Sequence, residues 1–266
     1  MGTDDATEAR RKSFDANAQL YGQMRPSYPR ELVDDAIELA AIPPGGRVLE
    51  IGCGAGQATA AFATRGLKML SLDVGADLVA EARSRVGDTA DVAFHVGSFE
   101  EWDQAQRSFH AVLAASCFHW MTPGVRYVKT AGVLEPRGAL VLLSHAHVRK
   151  KEGFFAEVQD VYREHAPEMH KRSRGGNGWE VPGEEGIELF DAPVERRYPW
   201  SAEHDAQSYV RLLHTYSGHA CLPDDRRERL YAAIADLIER RYDGRVVKHH
   251  ESVLHVRRKK GPATDV

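Results

Sequence analysis

Cysteine is scarce in this 266-residue chain, which holds Cys53, Cys117 and Cys221 and no C-x-x-C pair. Three thiols without that spacing argue against a disulfide framework and a zinc cluster, and predict a reducing compartment. Long apolar runs are absent as well. No stretch could span a bilayer and no secretory segment opens the chain, so the expectation is a cytoplasmic protein with no membrane partner. An excess of one charge is also missing: 35 Lys and Arg stand against 39 Asp and Glu, for a net charge of -4. That balance gives no bulk electrostatic reason to bind nucleic acid. The basic run Arg257-Arg258-Lys259-Lys260 reads as a solvated tail. Internal repeats and low-complexity tracts are lacking too. What remains is ordinary globular composition, long enough for one large domain or a domain with an inserted cap.

The most informative stretch is Arg47-Val48-Leu49-Glu50-Ile51-Gly52-Cys53-Gly54-Ala55-Gly56-Gln57. Val48, Leu49 and Ile51 suit a strand buried on both faces of a parallel sheet. Gly52, Gly54 and Gly56 follow at alternate positions, and from Gln57 an alanine-rich helical pattern runs toward Gly66. A strand, a glycine turn and a helix in that order let a ligand lie against bare backbone. The dinucleotide fingerprint G-x-G-x-x-G is not met, because the third glycine comes one residue early and Gln57 stands in its place.

The rest of the chain supplies the other parts of such a fold. Lys68 to Asp73 reads as a second strand ending in an acid, about 20 residues past the glycine turn, where βαβ nucleotide folds place a carboxylate on ribose hydroxyls. The alternative for Asp73 is an N-cap for a helix over 76–86. Val92 to Gly97, Phe109 to Ser116 and Gly138 to Ser144 read as strands three to five. Thr122-Pro123 is expected to cap the helix after strand four. Residues 145–193 lose strand spacing, turn charged, and include Arg174-Gly175-Gly176-Asn177-Gly178. They read as a helical cap ending in a mobile loop. Val194 to Trp200 then reads as a sixth strand, 202–216 and 224–242 as helices, and 246–256 as the last strand. Before the first strand, Tyr21 and Arg25 sit in an aromatic and prolyl segment. It could lie across a cofactor or simply pin the N-terminal helix to the core.

Glu50, Gly52, Gly54 and Gly56 in the pattern E-x-G-x-G-x-G resemble motif I of the class I S-adenosylmethionine-dependent methyltransferases. With Asp73-Val74 as motif II and Phe118-His119-Trp120 after strand four, the sequence resembles the small-molecule subgroup that includes trans-aconitate methyltransferase-like enzymes. The resemblance implies a Rossmann-like α/β fold: a sheet of seven strands, the last antiparallel, with helices on both faces. It implies S-adenosyl-L-methionine as cofactor, with Glu50, Gly52, Gly54, Gly56, Asp73, Val74, Ser98, Phe99 and Ser116 at the family's cofactor positions; Tyr21, Arg25 and Gln57 are expected to join them from the residues themselves. The family usually places Asp where this chain has Ser98, which weakens or relocates the adenine contact. The organisation expected is an N-terminal segment over 1–40, a cofactor-binding core over 41–144, the cap over 145–193, and 194–266 completing the core and substrate pocket.

Transfer to an oxygen acceptor, carboxylate or hydroxyl, needs alignment, and only a hydroxyl needs a base. His119 is the first candidate for base or positioning and His219 the second. His119, Trp120 and His219 are the expected substrate contacts. His145 and His147 would share a strand face, yet no carboxylate accompanies them, and Ser116 stands where metal-dependent relatives place an acid; no metal is expected. No Asp/Asn-Pro-Pro-aromatic motif follows strand four, which argues against flipped-base substrates. A nicotinamide oxidoreductase and a cofactor binder without catalysis remain as alternatives. The partner expected is a small-molecule substrate.

Overall fold

The computed structural model describes residues 14–15, 17–88, 91–104, 108–148, 152–172 and 183–261. The glycine-rich Arg174–Gly178 and the polar start of the chain lie outside them. Seven strands form one sheet in the order β3-β2-β1-β4-β5-β7-β6. They are β1 Arg47–Ile51, β2 Lys68–Asp73, β3 Val92–Val96, β4 Phe109–Ala115, β5 Leu134–His147, β6 Val194–Asp205 and β7 Arg245–Arg258. Strands β1 to β5 pair in parallel. Strand β7 runs the other way. His145 meets Ser252 and His147 meets His250, so numbering falls along β7 as it rises along β5. Glu195–His255 and Trp200–His250 give the same sense against β6. The architecture is Rossmann-like α/β, a parallel sheet closed by an antiparallel last strand, as expected.

The chain divides into two compact units. One comprises Pro26–His145, Gly178–Tyr198 and Ser252–Val266. It holds α2 Arg30–Leu39, α3 Gln57–Ala63, α4 Ala76–Val86 and α5 Arg126–Val133 around β1 to β4. Alternation sorts its strand residues onto two sheet faces. Val48, Met69, Ala111, Leu113 and Val141 pack with Leu32, Val33 and Phe62. Leu49, Ile51, Leu72, Val112 and Leu140 pack with Phe118 and Tyr127. The run Val48 to Ile51 is thus buried on both sides, as a central parallel strand must be.

The other unit comprises Met1–Arg25, Ala146–Asn177 and Pro199–Glu251. Its core joins Phe154, Val158, Tyr209, Leu213, Leu230, Ile234 and Ile238. These come from α6 Phe154–His165, α8 Ala206–His214 and α10 Asp224–Arg241; α1 Ala18–Met24, α7 Pro167–Arg172 and the short α9 Ser217–Ala220 complete it.

Three boundaries differ from expectation. The helix after β4 begins at Arg126 with no side-chain cap, and Thr122 contributes only its carbonyl, which accepts from the Val125 and Arg126 amides. Strand β6 continues to Asp205, whose carboxylate caps α8 by accepting from the Ser208 amide at 2.7 Å, so Ala202 is strand and not helix. Strand β5 starts at Leu134. Three residues between Glu135 and Ala139 are looped out of its ladder with β4, with Arg137 at φ 61°, and regular pairing resumes at Ala139.

Candidate cofactor site

The glycine turn at the carboxyl end of β1 is left-handed at all three glycines, with φ of 62° at Gly52, 54° at Gly54 and 80° at Gly56. Side chains rarely adopt that backbone. Two of the positions are also crowded. A Cβ on Gly52 would come within 2.8 Å of the Cys117 side chain, and one on Gly56 within 2.9 Å of Ala82 Cα. Close approach of the β4 loop and of α4 therefore demands glycine at both. Cys117 reinforces the first contact by donating its thiol to the Ile51 carbonyl at 2.8 Å. Gln57, the first residue of α3, is buried.

Asp73 ends β2 beside this turn. Its carboxylate accepts the Gly54 amide at 2.8 Å on one oxygen and the Gly75 amide at 2.9 Å on the other. The N-cap residue of α4 is Gly75, so capping is not Asp73's place. Each carboxylate oxygen can accept more than one hydrogen bond. A ligand hydroxyl can therefore join the backbone amides without displacing them. Val74 follows with its side chain 47% exposed, an apolar surface next to the acid.

Glu50 has a different place from the one expected of a ligand contact. It is buried, and its Oε2 accepts the Thr59 hydroxyl at 2.6 Å and the Ser71 hydroxyl at 2.8 Å. Glu50 thereby ties β1, β2 and α3 together under the turn. Burial lifts its pKa from 4.5 to about 7 despite those hydrogen bonds, and the charge of Asp73 adds to the rise. Burial likewise pushes the Cys53 thiol well up, which leaves it inert.

The β3 and β4 ends supply the remaining candidates of this unit. Ser98 Oγ accepts the Glu101 amide at 3.1 Å and donates to the Glu101 carboxylate, a local turn. Phe99 is buried in the core beside Leu72 and Trp102, with the Lys129 ammonium 5.4 Å from its ring centre. Ser116 is exposed at φ 58°, its amide donating to Leu143. A non-glycine residue in that region marks stored strain at a loop tip. His119 and Trp120 lie on the 3-10 turn Phe118–Trp120, their rings 4.9 Å apart. Crowding by protein atoms, with the nearby Arg126 guanidinium, holds His119 below its ordinary pKa although its surface faces solvent. It is the neutral imidazole at neutral pH. Arg126 is fixed by a buried bidentate pair with Glu184 and by donation to the Phe118 carbonyl.

Tyr21, Arg25 and His219 belong to the other unit. Arg25 donates to the Thr215 carbonyl at 2.8 Å and lies over the rings of Tyr21 and Tyr216. His219 is buried, shares a 3.1 Å hydrogen bond with the Tyr162 hydroxyl and stacks on Tyr231. Burial lowers its pKa to about 4, too low for an effective base at neutral pH. His145 stacks on Tyr28 in the first unit, and His147 meets His250 in the second. Among the described residues no group of three His, Cys, Asp or Glu could hold a metal ion.

Sequence reasoning missed Thr59 and Ser71 as partners of Glu50, and Cys117 as the reason for Gly52. The burial of Lys248 was missed too. In the sequence Lys248 and His250 read as solvent-facing positions of an alternating strand, yet both are buried.

Residues 48–138 match the family model of the methyltransferase domain. An uncharacterized methyltransferase of Mycobacterium tuberculosis is 33% identical over 131 residues, 49% of this chain and 51% of that protein. The chain thus spans about half the length of the curated relatives it matches there. An uncharacterized methyltransferase-like protein of Schizosaccharomyces pombe is 27% identical over 85% of this chain and 86% of its own. A Haemonchus contortus phosphoethanolamine N-methyltransferase, solved with phosphomonomethylethanolamine and S-adenosylhomocysteine, shares the fold at TM-score 0.50 and 15% identity, over 92% of this chain and 57% of that one. Residues 48–138 are thus similar to a methyltransferase domain, and the sheet that carries them is shared with the solved structure.

Proposed function

We propose that this protein is an S-adenosylmethionine-dependent methyltransferase of the small-molecule kind similar to trans-aconitate methyltransferase-like enzymes, transferring the methyl to an oxygen without a metal. One observation carries the reading: three left-handed glycines lie beside a carboxylate already anchored by two turn amides. That arrangement fits the cofactor. The Gly52–Gly56 backbone admits close approach, Asp73 accepts ribose hydroxyls, and exposed Val74 covers an adenine face. Glu50 supports the turn from beneath. Bound there, S-adenosylmethionine supplies an activated electrophilic methyl. The chain's own residues then have to orient the acceptor and exclude water.

His119 is the group proposed to take a proton from a hydroxyl acceptor, and its lowered pKa keeps it unprotonated at neutral pH. His219 serves packing in this reading. A nicotinamide site is disfavoured by Gln57 in place of the third fingerprint glycine.

Titration calorimetry with S-adenosylhomocysteine and, separately, NADH tests the assignment. Binding of the first alone is the expected result; binding of NADH alone would reject it. Turnover of a metabolite panel in wild type and His119→Ala across pH then tests the base. A hydroxyl acceptor predicts a loss of roughly 10²–10⁴ in turnover with cofactor affinity kept. Normal turnover with an unchanged pH profile in the variant would remove His119 from that role.

A further inference from the structure

A surface cleft of about 490 Å³ lies within the unit that contains Pro26–His145, at the far end of α3 from the glycine turn. Ser27, Arg30 and Val33, at and just before the start of α2, form one wall; Ala61, Thr64 and Arg65, at the end of α3, form the other. Tyr28 completes the lining. None of the described residues that line it is acidic, and two carry guanidinium groups. A cleft lined by one sign of charge concentrates ions of the other. Arg65 is held in place. Its Nε donates to Asp34 at 2.8 Å, one Nη to the Thr64 hydroxyl at 2.6 Å and the Ala61 carbonyl at 3.4 Å, and the other Nη to the Arg30 carbonyl at 3.4 Å. A guanidinium carries more N–H donors than these partners use, so the second Nη keeps a hydrogen for a ligand. Arg30 reaches Asp34 only at 3.6 Å and its side chain is 87% exposed, which leaves its guanidinium able to turn onto a ligand. Asp34 offsets one of the two positive charges, and the lining keeps the other.

We propose that this cleft binds the phosphate group of a small phosphate monoester. The donors decide the class of anion. The Arg30 guanidinium, the second Nη of Arg65 and the Ser27 hydroxyl come from three chain positions around one cleft. A phosphate monoester presents three terminal oxygens to them, whereas a carboxylate presents two, and the arginine fork suits phosphate in particular. The cleft is larger than a phosphate group alone, and Val33, Ala61 and Tyr28 line the remainder, where the organic part of the ester would lie. The site is separate from the proposed cofactor site. Gln57 opens α3 beside the glycine turn, and the cleft takes residues past the last turn of that helix, roughly 10 Å further along at the α-helical rise per residue. The proposal therefore does not rest on the methyltransferase reading.

The test is calorimetry on the full chain at near-physiological salt. Phenyl phosphate, ribose 5-phosphate and glycerol 3-phosphate are the probes, with inorganic phosphate, benzoate and phenol as controls, each with and without S-adenosylhomocysteine. At least one monoester should bind, more tightly than inorganic phosphate and benzoate, and S-adenosylhomocysteine should not displace it. Arg30→Gln should weaken that binding about 10-fold or more, because a charged donor is lost, and should leave Tm and S-adenosylhomocysteine affinity unchanged, because the side chain is exposed and away from the glycine turn. Ser27→Ala should weaken it by a smaller factor, and gives a second reading should Arg30→Gln fail to fold. The proposal is overturned if no monoester binds, or if both folded variants bind it as tightly as the wild type. Displacement by S-adenosylhomocysteine would move the anion to the glycine turn and overturn it as well. Inorganic phosphate binding as tightly as every monoester would mean an adventitious ion only, which also overturns it.

Discussion

Two carboxylates a strand apart carry opposite assignments, and their surroundings explain why. Asp73 keeps backbone amides on both oxygens and sits at the turn. Asp73→Ala removes a charged acceptor, so S-adenosylhomocysteine affinity should fall about 10- to 100-fold in calorimetry, since hydrogen bonds to charged groups contribute about 1.5–3 kcal/mol. The variant should also lose Tm, because the Gly54 and Gly75 amides lose their acceptor. Glu50 predicts a pH dependence instead. Its folded pKa of about 7 exceeds its ordinary 4.5, so between those values the folded state holds a proton that the unfolded chain has released. The resulting stability is fully present below about pH 4.5 and is lost as pH rises through about 7. Glu50→Gln should flatten the fall in Tm across that window, a span worth up to about 3 kcal/mol. Parallel wild-type and variant slopes would show that Glu50 does not hold the proton.

At the level of elements, the glycine turn was the most legible feature. Glycine alternation after an apolar run has a backbone cause, and all three glycines are left-handed. What the sequence could not show was which glycine is fixed by contact. Gly52 answers to Cys117, 65 residues on, and Gly56 to Ala82 on the next helix. Gly52→Ala and Gly56→Ala should therefore each unfold more readily than the wild type in urea, by roughly 1–3 kcal/mol from overpacking and left-handed strain together. Gly66, also left-handed but with open space around it, should tolerate alanine with a smaller loss from backbone strain alone. A ranking with Gly66→Ala as the most damaging would break this account. The misplaced boundaries have equally local reasons. Ala202 to Asp205 carry a helix-compatible composition, but pairing extends β6 to the Asp205 cap. Thr122-Pro123 looks like a helix start, yet the helical turn begins at Arg126, whose guanidinium is anchored by Glu184, 58 residues later. Local propensity could not report either long-range partner.

At the level of the whole molecule, the proposed ligands fall on one unit but at opposite ends of α3, and hydrogen exchange can read them separately. The glycine turn, Asp73 and Val74 lie in the unit that contains Pro26–His145, and so does the cleft at Arg30 and Arg65. Apolar patterning made that unit legible, because its strands are buried on both faces and must read as continuous hydrophobic runs. The other was harder to read in β7, where Lys248 and His250 look like solvent-facing positions of an alternating strand but are buried. Bound ligand stabilises the segments it contacts and slows exchange of amides that open locally. S-adenosylhomocysteine should therefore slow exchange in peptides spanning 47–57 and 73–79. A bound phosphate monoester should slow it in peptides spanning 27–34 and 61–66. Monoester-induced protection confined to the glycine-turn peptides would move the anion away from Arg30. Protection of neither set by S-adenosylhomocysteine would leave the turn without its proposed ligand. The expected pattern, with each ligand marking its own set of peptides, also assigns the lowered affinity of Asp73→Ala and of Arg30→Gln to two separate sites rather than to a common loss of folding.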